Sequence, residues 1–499
     1  MRELALAVLQ TGGASLLTLG FAVIATKIFA VLLGPAGIGF ISLVGQTYQA
    51  ALTLGTLNGQ TAMAQGIASR DEAGQAGYRV TVFWILLLVG GAVALAFLLF
   101  PSRIALFVLG REDGGGVQVV RWLSLGVLAG AASTYLSGVL TGHRAIGRLT
   151  LLQIVGAAVA AATAYPVALA LRGGHAVALA LQIAAPALAA GALGLVFVSR
   201  GGWLPKPFRH GGLRFDPGAA GGFLRLAATM LFLGVVATAV PLGLRAIVVR
   251  RFGLPGAGLF DVAWTISMNY VLLALASFST YYIPSLSRLS APRDRRELIQ
   301  RVLRLTIMLM VPLVVTTTVL KPVLVRVLYT SAFVPALDII RWMLIGDYFR
   351  VTDWVFALTM IAYADVKTLI WTELGWGALQ VGGAAFAVLS LNALEGVGAN
   401  ALLAHGTYLV FILAYVTSRG HFVLDGPTAR TWLIGLGLIL AAAAHTWSDV
   451  EVHLIPAAVY IALALGFAWT ILTPEERRGA RDGLRRAARR HRPHAAPAA

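Results

Sequence analysis

Fourteen apolar runs divide this chain, and runs of such length constrain its fold more than any motif does. A helix that crosses the roughly 30 Å hydrocarbon layer of a bilayer needs about 20 predominantly apolar residues. Runs of that kind cover about 10–33, 36–67, 78–100, 117–141, 149–171 and 176–198. A polar break rich in arginine, proline and glycine follows at 200–222. Six more runs lie at about 223–249, 257–285, 303–320, 335–363, 369–391 and 397–417, and two shorter ones at 431–447 and 453–472. Only 12% of the 499 residues are charged and 58% are hydrophobic. A soluble domain carries roughly 25% charged residues, so a soluble enzyme of this length is excluded. The expectation is an all-α integral membrane protein of about 14 transmembrane helices. The first run lacks a small-residue cleavage site and reads as a retained span.

With an even number of spans both termini share a side, and Lys and Arg accumulate on the cytoplasmic side. The loops on the side of the termini hold 25 Lys or Arg and the opposite loops 7. Without the basic tail the ratio is still 17 to 7. Both termini are therefore expected in the cytoplasm. The net charge of +18 is a topology signal and does not point to nucleic acid. The tail beyond Pro474 either meets anionic lipid, at roughly 1 kcal/mol per nearby basic residue, or is solvated.

The connector LGPAGIG at 33–39 returns as FGLPGAG at 252–258, with Gly34, Gly37 and Gly39 falling on Gly253, Gly256 and Gly258. PSRIALF at 101–107 returns as PVLVRVL at 322–328, within two residues of the same offset. Two matches at nearly one spacing predict a duplicated six-helix unit, with residues 1–220 as an N lobe and 221–420 as a C lobe. Residues 421–499 then add two helices and the tail. Six is even, so the repeats are parallel and related by an axis along the membrane normal, with a cavity expected between them.

Several chemistries are missing. None of the four lysines sits in a Gly-Lys-Ser/Thr phosphate loop. The nine histidines never fall at i, i+4 beside a glutamate, and there is no cysteine for a disulfide or a thiolate site. No catalytic residue, metal site or cofactor is expected.

Charges inside spans cost about 2.5–3.5 kcal/mol each near the bilayer centre, so they face a cavity or a partner. Lys27 lies seven residues before Gly34, and Arg245 eight before Gly253. Both are thus about 10 Å inside the same end of their helices. Across the repeat axis the two cations would repel, and an anion such as a diphosphate would relieve that. The plain alternative is snorkelling to headgroups or pairing with carboxylates. The tenth run holds Arg341, Asp347, Arg350 and Asp353, and the last three share an arc of about 120° on a helix. They form either a self-neutralising packing device or a carboxylate whose proton affinity changes during transport. Asp261 and Glu373 are further ion-coupling candidates. Gln46, Thr47, Gln49, Asn58 and Gln60 in the second run, and Asn269, Tyr270, Tyr281 and Tyr282 in the eighth, could line a wet cavity and bind sugar. They could equally make interhelical hydrogen bonds of about 0.6 kcal/mol each.

At this point three segments resemble one known family. KIFAVLLGPAGIG at 27–39 is similar to the end of helix one in the Wzx polysaccharide flippases, closest to the enterobacterial common antigen type. SFSTYYIPSLSRL at 277–289 resembles that family's helix-eight end, and IGDYFR at 345–350 its helix-ten motif. The likeness covers about residues 5–420. It implies two six-helix lobes around a cationic cavity and a substrate that is an undecaprenyl-diphosphate-linked oligosaccharide. That substrate is moved from the cytoplasmic to the periplasmic leaflet of a bacterial inner membrane, by alternating access coupled to an ion gradient. Membrane lipids, a polysaccharide polymerase and a chain-length regulator are the implied partners. By position, Lys27, Asp347, Arg350 and Glu373 match polar positions of the family and Arg250 a basic one, whereas Arg245 rests on the repeat alone. The chain departs from the twelve-helix pattern after about Gly420. The rival readings are a cation-coupled drug exporter of the same superfamily, the peptidoglycan-precursor (lipid II) flippase, and a membrane-bound glycan polymerase or ligase. A basic cavity disfavours the exporter, and the lack of a large outward loop disfavours the polymerase.

Overall fold

The computed structural model describes residues 2–472 apart from 111–113, 205–214, 290, 364 and 421, and no side chain of 2–16, 73 or 270–281. The described residues form fourteen α-helices and no strand. Two of them are long because each joins two spans: α1 (Arg2–Gly55) and α8 (Pro217–Arg288). The first half continues with α2 (Gln60–Ala68), α3 (Glu72–Leu99), α4 (Pro101–Leu109), α5 (Gly114–Gly142), α6 (Ile146–Arg172) and α7 (Ala178–Arg200). After α8 come α9 (Pro292–Leu328), α10 (Leu337–Ala362), α11 (Val366–Ala385) and α12 (Gly396–Ser418), then α13 (Gly426–His445) and α14 (Leu454–Ile471).

The repeated connectors are single-residue breaks. Gly34 stands at φ 63°, ψ −165° and Gly253 at φ 67°, ψ −172°, a region open essentially only to glycine. Pro35 directly follows the first break, where proline is favoured, and Pro255 lies one residue further into the turn after the second. The duplication read from the sequence is thus reproduced in backbone geometry at the matched residues. Among the described residues, ten stretches are long and apolar enough to cross a membrane, and those within α1 and α8 each take in two of the runs read from the sequence. The remaining runs are α10, crowded with charge, and α11, which carries Lys367, Glu373 and Gln380.

One run differs from its expected form. The second does not stay helical to 67 but breaks before α2, where Leu57 and Asn58 adopt positive φ and Thr56 bonds back to the Leu52 carbonyl. The turn is closed by main-chain hydrogen bonds from Asn58 to the Thr53 carbonyl at 3.0 Å and from Gly59 to that of Thr56 at 2.9 Å.

By packing, the chain groups into two compact units. The first is Met1–Ala263 with Val325–Ala336 and Glu373–Val397. There α5 lies against α3 and α7, and α1 against α6, around a core that includes Met63, Tyr78, Leu86, Leu136, Val139 and Phe223. The second is Trp264–Leu324 with Leu337–Thr372 and Gly398–Ala499. At its centre α10 is buried over most of its circumference, as a helix with apolar residues on every side must be.

Candidate functional site

The first unit holds the cations that precede the two glycine breaks. Just beyond those breaks the helices meet at bare backbone. A Cβ on Gly39 would lie 2.0 Å from the Leu254 carbonyl oxygen, and one on Gly258 would lie 1.9 Å from the Pro35 carbonyl oxygen. Only glycine at both places permits this crossing.

Beside it, Lys27 donates from Nζ to the Arg326 carbonyl at 3.1 Å and to the Tyr329 carbonyl. Those acceptors close the end of α9, where helical carbonyls lack intrahelical partners and the dipole favours a cation. Arg250 reaches the Phe107 carbonyl at 3.3 Å near the end of α4. The 219-residue spacing that carries Gly34 onto Gly253 also carries Phe107 onto Arg326. Each repeat thus sends a cation from its first helix to a carbonyl in the corresponding segment of the other repeat. Both contacts are with neutral oxygens, so neither side chain meets a carboxylate there.

Arg245 is held differently. Its Nε and one NH2 group donate to Asp261 Oδ1 at 3.2 and 2.6 Å, and its other terminal nitrogen donates to the Pro241 carbonyl at 3.2 Å. The guanidinium also lies over the Phe260 ring at 5.5 Å. Arg245 is buried and its charge is neutralised by one of the predicted coupling carboxylates. Gln46 donates to the Thr238 carbonyl at 3.2 Å and Asn58 to that of Met230 at 2.8 Å, so these two fasten α1 to α8. Gln49 and Gln60 are exposed. Glu373 on α11 is half-buried and has no hydrogen-bond or ion-pair partner among the described residues.

In the second unit the α10 charges split into two systems. Asp347 Oδ1 accepts from Ser267 at 2.8 Å and from Arg350 at 3.3 Å, while Arg350 also meets the Met268 sulfur. One turn on, Asp353 Oδ2 stands 2.9 Å from His405 Nδ1, with both residues buried. An aspartate against an arginine is neutral without a proton, whereas an aspartate against an imidazole holds or releases one as a coupled pair. His405, Ser267 and Met268 were not singled out by the sequence; a histidine in an apolar run was their one available signal. Arg341 lies apart from this face, paired with Asp338 at 3.3 Å and donating to the Trp447 carbonyl at 3.3 Å. Asn269 is exposed, Tyr282 is fully buried, and the side chains of Tyr270 and Tyr281 lie outside the described residues.

The two additional helices are fastened to this charged helix. Tyr348 donates to the Trp432 carbonyl at 3.0 Å, and the Trp432 indole donates to Thr352 at 3.0 Å. The turn between α13 and α14 receives Lys321, fully buried, on the Thr446 carbonyl and at 3.2 Å on its hydroxyl.

This all-helical arrangement, with breaks at matched glycines and charges buried within spans, is a fold shared with solved transporters of the MOP superfamily. The solved structures agree on the fold. The lipid II flippase MurJ, in its inward closed conformation, superposes with TM-score 0.67 at 14% identity over 94% of this chain and 98% of its own. An inward-facing multidrug resistance transporter of the MATE family gives 0.62 at 16% over 84% and 97%. A superfamily transporter from Pyrococcus furiosus gives 0.61 at 17% over 83% and 95%.

The polysaccharide biosynthesis protein family matches residues 28–338, and the chain belongs to that family. Among curated relatives, the lipid III flippases of Escherichia coli K12 and Shigella flexneri are each 26% identical over 377 residues, 74% of this chain and 88% of theirs. The Wzx-type resemblance read from three segments of sequence therefore stands.

Proposed function

We propose that this protein flips an undecaprenyl-diphosphate-linked oligosaccharide from the cytoplasmic to the periplasmic leaflet of a bacterial inner membrane for surface polysaccharide assembly. The observation that carries the reading is the alignment with lipid III flippases over 88% of their length, within a polysaccharide biosynthesis family. Relatives that are transporters, and a chain without a phosphate loop, support transport driven by an ion gradient. The loop charges support cytoplasmic termini. Residues 1–220 and 221–420 are the lobes that alternate access around the substrate, with 421–499 added to the second. A polysaccharide polymerase and a chain-length regulator are the partners that would take the product.

The geometry supports roles within that reading. Lys27 and Arg250, which rest on main-chain carbonyls, receive the diphosphate when the crossing at Gly39 and Gly258 opens, exchanging carbonyl oxygens for phosphoryl oxygens. Arg350 is a further cation for the substrate. Asp353 with His405 is the proton-bearing pair, and Glu373 is a second ion site. Arg245 with Asp261 is a scaffold. Gln46 acts through the α1–α8 contact, and Gln49, Asn269 and Tyr270 are left as sugar contacts.

The test is lipid extraction from a strain deleted for this protein, with mass spectrometry of undecaprenyl-diphosphate-linked glycans. Accumulation of one oligosaccharide, reversed by the wild type and not by a Lys27→Gln/Arg250→Gln variant, is the expected result. The 94% coverage of the lipid II flippase fold, additional helices included, favours peptidoglycan precursor as the second reading. Accumulation of lipid II would select it. An unchanged lipid pool with new drug sensitivity would overturn both.

A further inference from the structure

One cluster in the first unit has no part in the transport reading. It lies where α3 begins and α5 and α7 finish. Arg79 is buried there, and one terminal nitrogen contacts His143 Nε2 at 3.2 Å. Its Nε is buried without any hydrogen-bond partner. Burial and the Arg79 guanidinium hold the His143 imidazole below the usual histidine range, so at neutral pH it is an uncharged acceptor. The His143 ring stacks on Trp203 at 4.1 Å. The Arg148 guanidinium lies 5.6 Å from the same indole and 5.8 Å from the Phe197 ring. Neither arginine has a carboxylate within ion-pair distance among the described residues. A buried cation with no counter-charge is costly, so the cluster lacks an anion.

An apolar groove of about 630 Å³ runs from this cluster along α3, α5 and α7. Small residues make it, among them Ala129, Ala132, Ala187 and Gly191, and at its rim Leu87, Leu128, Leu188 and Leu195 are exposed. Two lining residues tie it to the cluster. Tyr135 donates its hydroxyl to the Arg79 carbonyl at 3.2 Å, and Leu204 follows Trp203 in the chain. Exposed leucines on membrane-spanning helices face lipid, so whatever fills the groove enters from the bilayer. A tryptophan among basic side chains at helix ends is the usual composition of the headgroup level.

We infer that this surface binds an anionic bilayer phospholipid, with one acyl chain in the groove and its phosphoryl oxygens on Arg79 and Arg148. An anionic phospholipid carries a net negative charge at its headgroup, which two arginines without a carboxylate partner complement, whereas a zwitterionic one carries none. The inference needs the membrane-spanning reading and is independent of what the protein transports.

The experiment is native mass spectrometry of the purified full-length protein titrated with phosphatidylglycerol or phosphatidylcholine of identical chains. Phosphatidylglycerol is expected to bind about thirtyfold more tightly, the effect of two basic side chains at a headgroup. An Arg79→Gln/Arg148→Gln variant is expected to lose that preference. If this variant does not fold, Gly191→Leu fills the groove without touching a charge and is expected to lower retention of both lipids. Equal binding of the two lipids, or a preference that survives the arginine substitutions, overturns the inference. Displacement of phosphatidylglycerol by equimolar undecaprenyl phosphate also overturns it and gives the groove to a prenyl chain.

Discussion

Lys27 and Arg245 lie at matched depths in matched helices, yet their surroundings oppose each other. Arg245 is buried against Asp261 and its charge ends there. Lys27 rests on two main-chain carbonyls and meets no carboxylate there. The matched positions thus keep depth and charge type while their partners differ. One copy is paired with a carboxylate, and the other rests on main-chain oxygens. On the second repeat Arg250 likewise rests on a main-chain carbonyl, that of Phe107 in the first repeat.

The largest expected effect breaks the tie. Asp261→Asn leaves Arg245 buried without compensation and should cost about 3–5 kcal/mol, read as a fall in unfolding midpoint of the purified protein. The double variant Asp261→Asn/Arg245→Gln should recover most of that loss and keep transport. An Asp261→Asn protein as stable as the wild type would erase the contrast between the two cations. Next in size, Lys27→Gln should lower flipping at least tenfold in a lipid-accumulation assay, while destabilising by no more than about 1.5–3 kcal/mol, the range for a hydrogen bond to a charged group. Lys27→Arg should restore the flipping, because the charge is what differs from Arg245.

Gly258→Ala comes third. Its methyl would press on the Pro35 carbonyl, and overpacking of this kind costs about 1–3 kcal/mol. Because the chain has no native cysteine, a single Ser331→Cys can report the outcome, with faster labelling by a water-soluble maleimide expected in the alanine background. The smallest effect is at the opposite end of α10, outside the spans. Hydrogen bonds from Tyr415, at 2.6 Å, and from Thr368 hold the Asp365 carboxyl below its usual range. A depressed folded-state value means the contribution is present above about pH 3.9, the unfolded carboxylate value, and is lost as pH falls through the folded one. Asp365→Asn should flatten that acid limb by less than about 1 kcal/mol, because the group is partly solvated.

The parts of this structure legible in the sequence are those that side chains encode. Apolar length marked the spans, and Gly34 and Gly253 marked the breaks because no other residue tolerates their dihedrals. Asp347 and Arg350 were visible as neighbours on one helical face. The acceptors of Lys27 and Arg250 were not, since a main-chain carbonyl has no residue signature and lies some 300 and 143 positions away. His405 escaped for a related reason. Its pairing with Asp353 depends on how α12 packs on α10, and helical periodicity within either segment is silent about the other. The break after Gly55 was hidden by continuous hydropathy, which registers burial in lipid and not the positive φ that Leu57 and Asn58 adopt.

The Trp432 bridge has a practical consequence. Trp432 accepts the Tyr348 hydroxyl at its main-chain carbonyl and donates from its indole to Thr352, so α13 grips the charged helix at two points between Asp347 and Asp353. Any rotation of α10 during a cycle must carry α13 with it or break two bonds. A fluorophore on α13 is therefore mechanically geared to the helix that carries Asp347 and Asp353. Its polarisation or energy transfer could follow turnover in single molecules without a label inside the pathway.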